Sequence, residues 1–144
     1  MTPTRFAHPR ALPLPGASPR SAIARAARKS AELSGRASRS EYWWWILPVT
    51  VVHVALLAPA LAAIEAPTAA ATGTELAVPM LLDGLWLILT LVPTLSVTVR
   101  RLHDTNRSAV FLLLAVVPLG PFFLAVLLAM PSDPRGARFD AGPV

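Results

Sequence analysis

The chain of 144 residues contains no cysteine, which excludes a disulfide framework, a thiolate metal site and a cysteine nucleophile. It also lacks charge over most of its length. Of its 13 Lys and Arg and 8 Asp and Glu, only Asp83 falls within the runs 42–64, 76–99 and 109–130. Runs so long and so poor in charge exclude a soluble globular domain. Missing too are a Gly-rich phosphate loop, a His-Glu-x-x-His zinc motif and a Gly-x-Ser-x-Gly elbow. No catalytic apparatus is legible, so the expectation is a protein that is not an enzyme and that holds no cofactor or metal.

What is present is membrane-like. At ~1.5 Å per helical residue each run reaches the ~30 Å of bilayer hydrocarbon. Their apolar character is continuous rather than alternating, which favours helices over barrel strands. The expected fold is an all-α integral membrane protein with three transmembrane helices, at 42–64, 76–99 and 109–130, preceded by a short amphipathic helix. Residues 1–20 are basic and rich in proline, the composition of a disordered tail. Over 21–34, Ile23, Ala26, Ala27, Ser30 and Leu33 share one helical face while Arg25, Arg28, Lys29 and Glu32 occupy others. That pattern reads as a helix lying on anionic headgroups, or equally as a solvated alanine-rich linker. The apolar run from Tyr42 begins too late and is too long for a secretory signal.

Charge sets the orientation. The connection between the first two runs carries Glu65 and Glu75 with no Lys or Arg, whereas the second carries Arg100, Arg101 and Arg107. Short loops rich in Lys and Arg stay in the cytoplasm. The N-terminus and second loop are therefore expected inside, and three crossings would carry the tail from Pro131 outside. Pro118, Gly120 and Pro121 offer another route, a re-entrant hairpin that returns the tail to the cytoplasm. Tyr42, Trp43, Trp44 and Trp45 stand where basic sequence gives way to apolar sequence, the place of an interfacial aromatic anchor.

Two kinds of polar residue attract attention. His53 and Asp83 lie inside the apolar runs, where ionisable groups are functional candidates by default. Counted from the ends of their runs they lie ~16 Å and ~24 Å in, at different depths. The others gather at the cytoplasmic edge: Arg36, Arg39 and Glu41 before the first run, and Arg100, Arg101, His103, Asp104 and Arg107 after the second. These read as a structural collar, with Glu41 bonding Arg100 or Arg101 and Asp104 bonding Arg36 or Arg39, or as contacts to lipid headgroups. The partners this implies are the lipid bilayer, with anionic headgroups at the cytoplasmic face, and a second copy or another membrane protein. Without interleaved aromatics or a folded reader, nucleic acid is not expected.

The segments Gly35-Arg36-Ala37-Ser38-Arg39-Ser40-Glu41-Tyr42-Trp43-Trp44 and Arg100-Arg101-Leu102-His103-Asp104-Thr105-Asn106-Arg107-Ser108, in this order and both abutting apolar runs, resemble the bacterial inner-membrane family known as domain of unknown function 805. The resemblance extends from Leu33 to about Pro143. It departs at Leu33, which replaces an aromatic, at Asn106, which replaces a glycine, and at Ala109 and Val110, which replace a glycine and an aromatic. Gly136-Ala137-Arg138-Phe139-Asp140 is similar to a shortened form of the family's ending. The resemblance implies a multi-pass protein of the bacterial inner membrane and supplies no reaction, substrate or cofactor. The expected function is a non-enzymatic structural or accessory membrane module with a charged cytoplasmic collar. The alternative is a small transporter or channel that must oligomerise to enclose a pathway.

Overall fold

The structure is a computed structural model and describes residues 12–65 and 73–140. Every regular element among the described residues is helical: α1 over Pro19–Arg28, α2 over Arg39–Glu65, α3 over Thr74–Asp104 and α4 over Gly120–Ala129, with 3-10 helices at Ala109–Val116 and Pro134–Phe139. Residues 1–11, the start of the expected disordered tail, lie outside the described residues.

Among the described residues two helices are long and apolar enough to cross a membrane, α2 and α3. α2 starts on a reciprocal cap. The Ser38 hydroxyl accepts the Glu41 amide at 3.2 Å while the Glu41 carboxylate accepts the Ser38 amide at 2.9 Å, a capping box that satisfies two donors at the helix start. α3 stops because Asn106 adopts a left-handed φ of 58°. The Arg107 amide then bonds the Leu102 carbonyl at 2.8 Å and the Asn106 amide bonds that of His103 at 2.9 Å, a Schellman closure normally made with glycine.

The third apolar run differs from the expected single span. It breaks into the Ala109–Val116 3-10 helix and α4, because Pro118 and Pro121 lack amide donors and Leu119 takes a left-handed φ of 62°. The two arms fold against each other. A Cβ on Gly120 would sit 2.8 Å from the Leu114 carbonyl carbon, so only glycine permits that approach. The far end of α4 comes back to the end of α3: Arg101 donates to the carbonyls of Leu128, at 2.9 Å, and Met130, and the Asp133 amide donates to the Asp104 carbonyl at 2.8 Å. The tail after Met130 therefore sits beside the 105–108 loop.

The chain forms two compact units, one comprising the residues up to Trp45 with those from Pro93 on, the other Ile46–Val92. In the first, small residues make the core: Ala17, Ala22, Ala26 and Ala37 are buried with Trp45, Val97 and Leu102. α1 accordingly turns Ala22 and Ala26 inward, with Lys29 buried just after it, and leaves Ile23, and Leu33 beyond the helix, exposed. The buried stripe is thus one residue removed from the face expected from Ile23 and Leu33, because alanine allows closer approach than isoleucine. In the second unit the helices direct their large apolar side chains outward, with Leu81 73% and Ile88 72% exposed, as a lipid-facing surface requires.

Candidate functional site

The collar assembles in the first unit, and three stretches of chain build it. The end of α3 supplies Arg100, Arg101, His103 and Asp104, the segment before α2 with the first turn of that helix supplies Gly35 to Glu41, and the end of α4 with the tail supplies Leu128 to Asp140. Ala37 bonds the Arg100 carbonyl through its amide at 3.0 Å, which holds the second stretch against the first.

Arg101 is the centre. Wholly buried, it donates to the Asp104 carboxylate and to the carbonyls of Ala37, Leu128 and Met130. Asp104, equally buried, also accepts the Ser132 hydroxyl at 2.5 Å. Arg36 lies 4.0 Å from Asp104, but its main partner is Asp140, gripped through two parallel bonds of 2.9 and 2.7 Å. That bond holds the Arg36 guanidinium above its usual pKa. His103 donates from Nδ1 to the Gly35 carbonyl at 3.2 Å and stacks flat on Phe139, ring centres 4.0 Å apart. Arg138 covers Phe139 at 4.6 Å. Gly136 fits under this cluster because a Cβ there would meet the His103 carbonyl oxygen and, at 3.4 Å, the Arg36 side chain.

Glu41 is placed otherwise than expected. It pairs with Arg25 of α1 and accepts the amides of Leu14 and Ser38, both at 2.9 Å, rather than bonding Arg100 or Arg101. Its local duty at the start of α2 aims it at the N-terminal segment. From Leu12 on, that segment lies on the start of α2: the Leu14 carbonyl accepts the Ser38 hydroxyl at 2.7 Å, and the Ala17 amide donates to the Ser40 hydroxyl at 2.9 Å. Asp104 meets Arg36 only at the longer distance and not Arg39, which is exposed. Arg107 lies outside the buried cluster, its guanidinium 5.4 Å from the Phe111 ring. Lys29 is buried beside Arg25, and burial first, then that repulsion, pulls its ammonium below the usual value, opposed by Glu32.

In the second unit His53 Nδ1 lies 2.6 Å from Asp83 Oδ1. The two are level rather than at different depths. Nearby, the Trp86 indole donates to the Val49 carbonyl at 3.2 Å.

The stretches that make the collar are also those that identify the chain. Residues 30–141 match the family described as Protein of unknown function (DUF805). The chain belongs to this family. It is 34% identical over 112 residues to inner membrane protein YhaI of Escherichia coli (strain K12), covering 76% of this chain and 84% of that protein. Inner membrane protein YhaH of the same strain is 33% identical over 110 residues, with the same coverage. No solved structure matches. DUF805 membership and the apolar helices together make this a bacterial inner-membrane protein.

Three contributors escape a sequence reading of the site. Ser132 and Asp140 carry no signal, since nothing local ties them to residues far earlier in the chain. Ser38 does carry one, because Ser-x-x-Glu ahead of an apolar run is the signature of a helix start.

Proposed function

We propose that this DUF805 protein is a non-enzymatic structural or accessory module of the inner membrane. Its N-terminus is cytoplasmic, α2 and α3 cross the bilayer, and residues 109–130 dip in and return. The observation that carries this reading is the Arg101 clamp, which fastens the returning end of α4 to the end of α3. Length supports it. The eight-residue 3-10 arm and ten-residue α4 reach only ~15 Å each, about half of the ~30 Å hydrocarbon. The cations at the end of α3 and before α2 favour the cytoplasmic side for the collar, and hence for both termini. Arg36, Arg101, Asp104 and Asp140 are engaged in holding carbonyls and one another, the arrangement of a brace. Its partners are anionic headgroups and, through the small residues Ala55, Ala58 and Ala62, a second copy or another membrane protein.

Reporter fusions test the arrangement. A reporter active only in the cytoplasm is expected to work when fused after Val144, as it does after Asn106. Activity at Val144 of a reporter that works only outside would overturn the hairpin. A second reading, a small oligomeric transporter, is favoured by the His53–Asp83 pair inside the apolar helices. It requires proton or cation flux in protein-loaded vesicles that Asp83→Asn abolishes, and vesicles without flux would remove it.

A further inference from the structure

Ser96 and Arg100 stand one turn apart on α3, on the face that carries the segment after α1. The Ser96 hydroxyl lies 2.7 and 2.6 Å from the carbonyl oxygens of Lys29 and Glu32. Beside the segment after α1 opens a cleft of about 440 Å³ lined by Arg25, Arg28, Lys29 and Glu32, with Arg100 buried outside its lining, within the ~300–1,000 Å³ range of small-ligand sites. Arg100 is 1% exposed, and its Nε and one terminal nitrogen meet no acceptor. The charges acting on it are those of Glu41, Arg25 and Glu32. Both acids are engaged elsewhere, Glu41 with Arg25 and two amides, Glu32 with Lys29 at 3.4 Å. Positive charge is therefore in excess around a buried guanidinium that has no carboxylate of its own. Such a group is costly unless negative charge is brought near it, and the forked donors of the arginines that line the cleft match phosphate oxygens.

We propose that this cleft binds a phosphate-bearing anion, with Arg25 and Arg28 supplying the donors and Arg100 adding its buried, uncompensated charge. The site is independent of the collar's bracing role and rests on the membrane arrangement proposed above only for its source: at headgroup depth the phosphate is that of an anionic phospholipid such as phosphatidylglycerol. Net anionic charge, not the phosphodiester alone, is what the excess cations select.

The test uses the full chain purified in neutral detergent, with thermal stability and binding followed on adding phosphatidylglycerol, phosphatidylcholine or inorganic phosphate. Phosphatidylglycerol is expected to raise Tm and to bind roughly tenfold tighter than phosphatidylcholine. Arg100→Gln should remove the preference. Should that variant not fold, Arg28→Gln, at an exposed position of α1, should keep the fold and weaken phosphatidylglycerol binding severalfold, while Arg135→Gln, on the exposed tail, leaves it unchanged. Stabilisation by inorganic phosphate that Arg28→Gln weakens, without a preference between the lipids, supports the site and assigns it a soluble phosphate. Equal effects of both lipids with none from phosphate, or a lipid preference that Arg28→Gln and Arg135→Gln reduce alike, overturns it. The bracing role is judged separately by coupling between Arg101 and Asp104, so either reading can fail alone.

Discussion

Arg101 and Asp104 are both fully buried, so neither keeps the water that would compensate it if its partner were lost. Arg101→Ala should destabilise the detergent-solubilised protein by ~3–5 kcal/mol, because the Asp104 carboxylate stays buried with one hydroxyl bond, from Ser132, and Arg36 no nearer than 4.0 Å. Removing both charges should cost clearly less than the two single changes added together, with a coupling above ~1 kcal/mol in denaturant unfolding. Strict additivity would show that the two charges act separately. Arg36→Lys isolates geometry from charge. An ammonium keeps the attraction to Asp140 but not the two parallel bonds, so the expected loss is ~1.5 kcal/mol, and an unchanged unfolding midpoint would leave the fork without weight.

The run 109–130 shows where a sequence reading succeeds and where it stops. Its hydrophobicity places it in the membrane, and Pro118, Gly120 and Pro121 mark the only plausible break. What hydrophobicity does not encode is the return, since that depends on a guanidinium in α3 reaching carbonyls at Leu128 and Met130. The same limit applies to the collar. α2 and α3 are legible because each carries a long apolar run, and the cluster of charges where the two runs end is legible from the spacing of Lys and Arg. The pairings are not, because Asp140 meets Arg36 from the far end of the chain, while Glu41 answers first to its own helix start. The hairpin turn gives a direct check. Gly120→Ala forces a Cβ into the Leu114 backbone and should cost ~1–3 kcal/mol by overpacking. Leu119→Gly, at φ 62°, should instead stabilise by up to ~1 kcal/mol through relief of the left-handed conformation. A run that crossed as one straight helix would give the opposite order, with glycine the more harmful change.

At the scale of the molecule, the unit containing the collar is closed by chain that is distant in sequence. Its pieces are the N-terminal segment, the end of α3 and the tail. Each joins through polar bonds in which backbone groups figure largely, so each piece stabilises without being needed to enter the bilayer. The N-terminal segment separates the two roles. Residues 12–18 contribute the Leu14 and Ala17 amides and the Leu12 and Leu14 carbonyls to bonds with Glu41, Ser40, Arg25 and Ser38, yet they include no apolar run long enough to insert. A chain beginning at Pro19 should therefore reach the membrane in the same amount as the full chain and unfold more readily. With net contributions of ~0.5–1.5 kcal/mol per bond, some larger because Glu41 and Arg25 are charged, the expected loss is ~1–3 kcal/mol after the entropy of ordering seven residues is set against them. An unchanged melting temperature for the shortened chain would mean that ordering this segment cancels all it contributes. Failure of the shortened chain to insert would instead give the basic tail a part in delivery, one that its contacts with Glu41 do not explain.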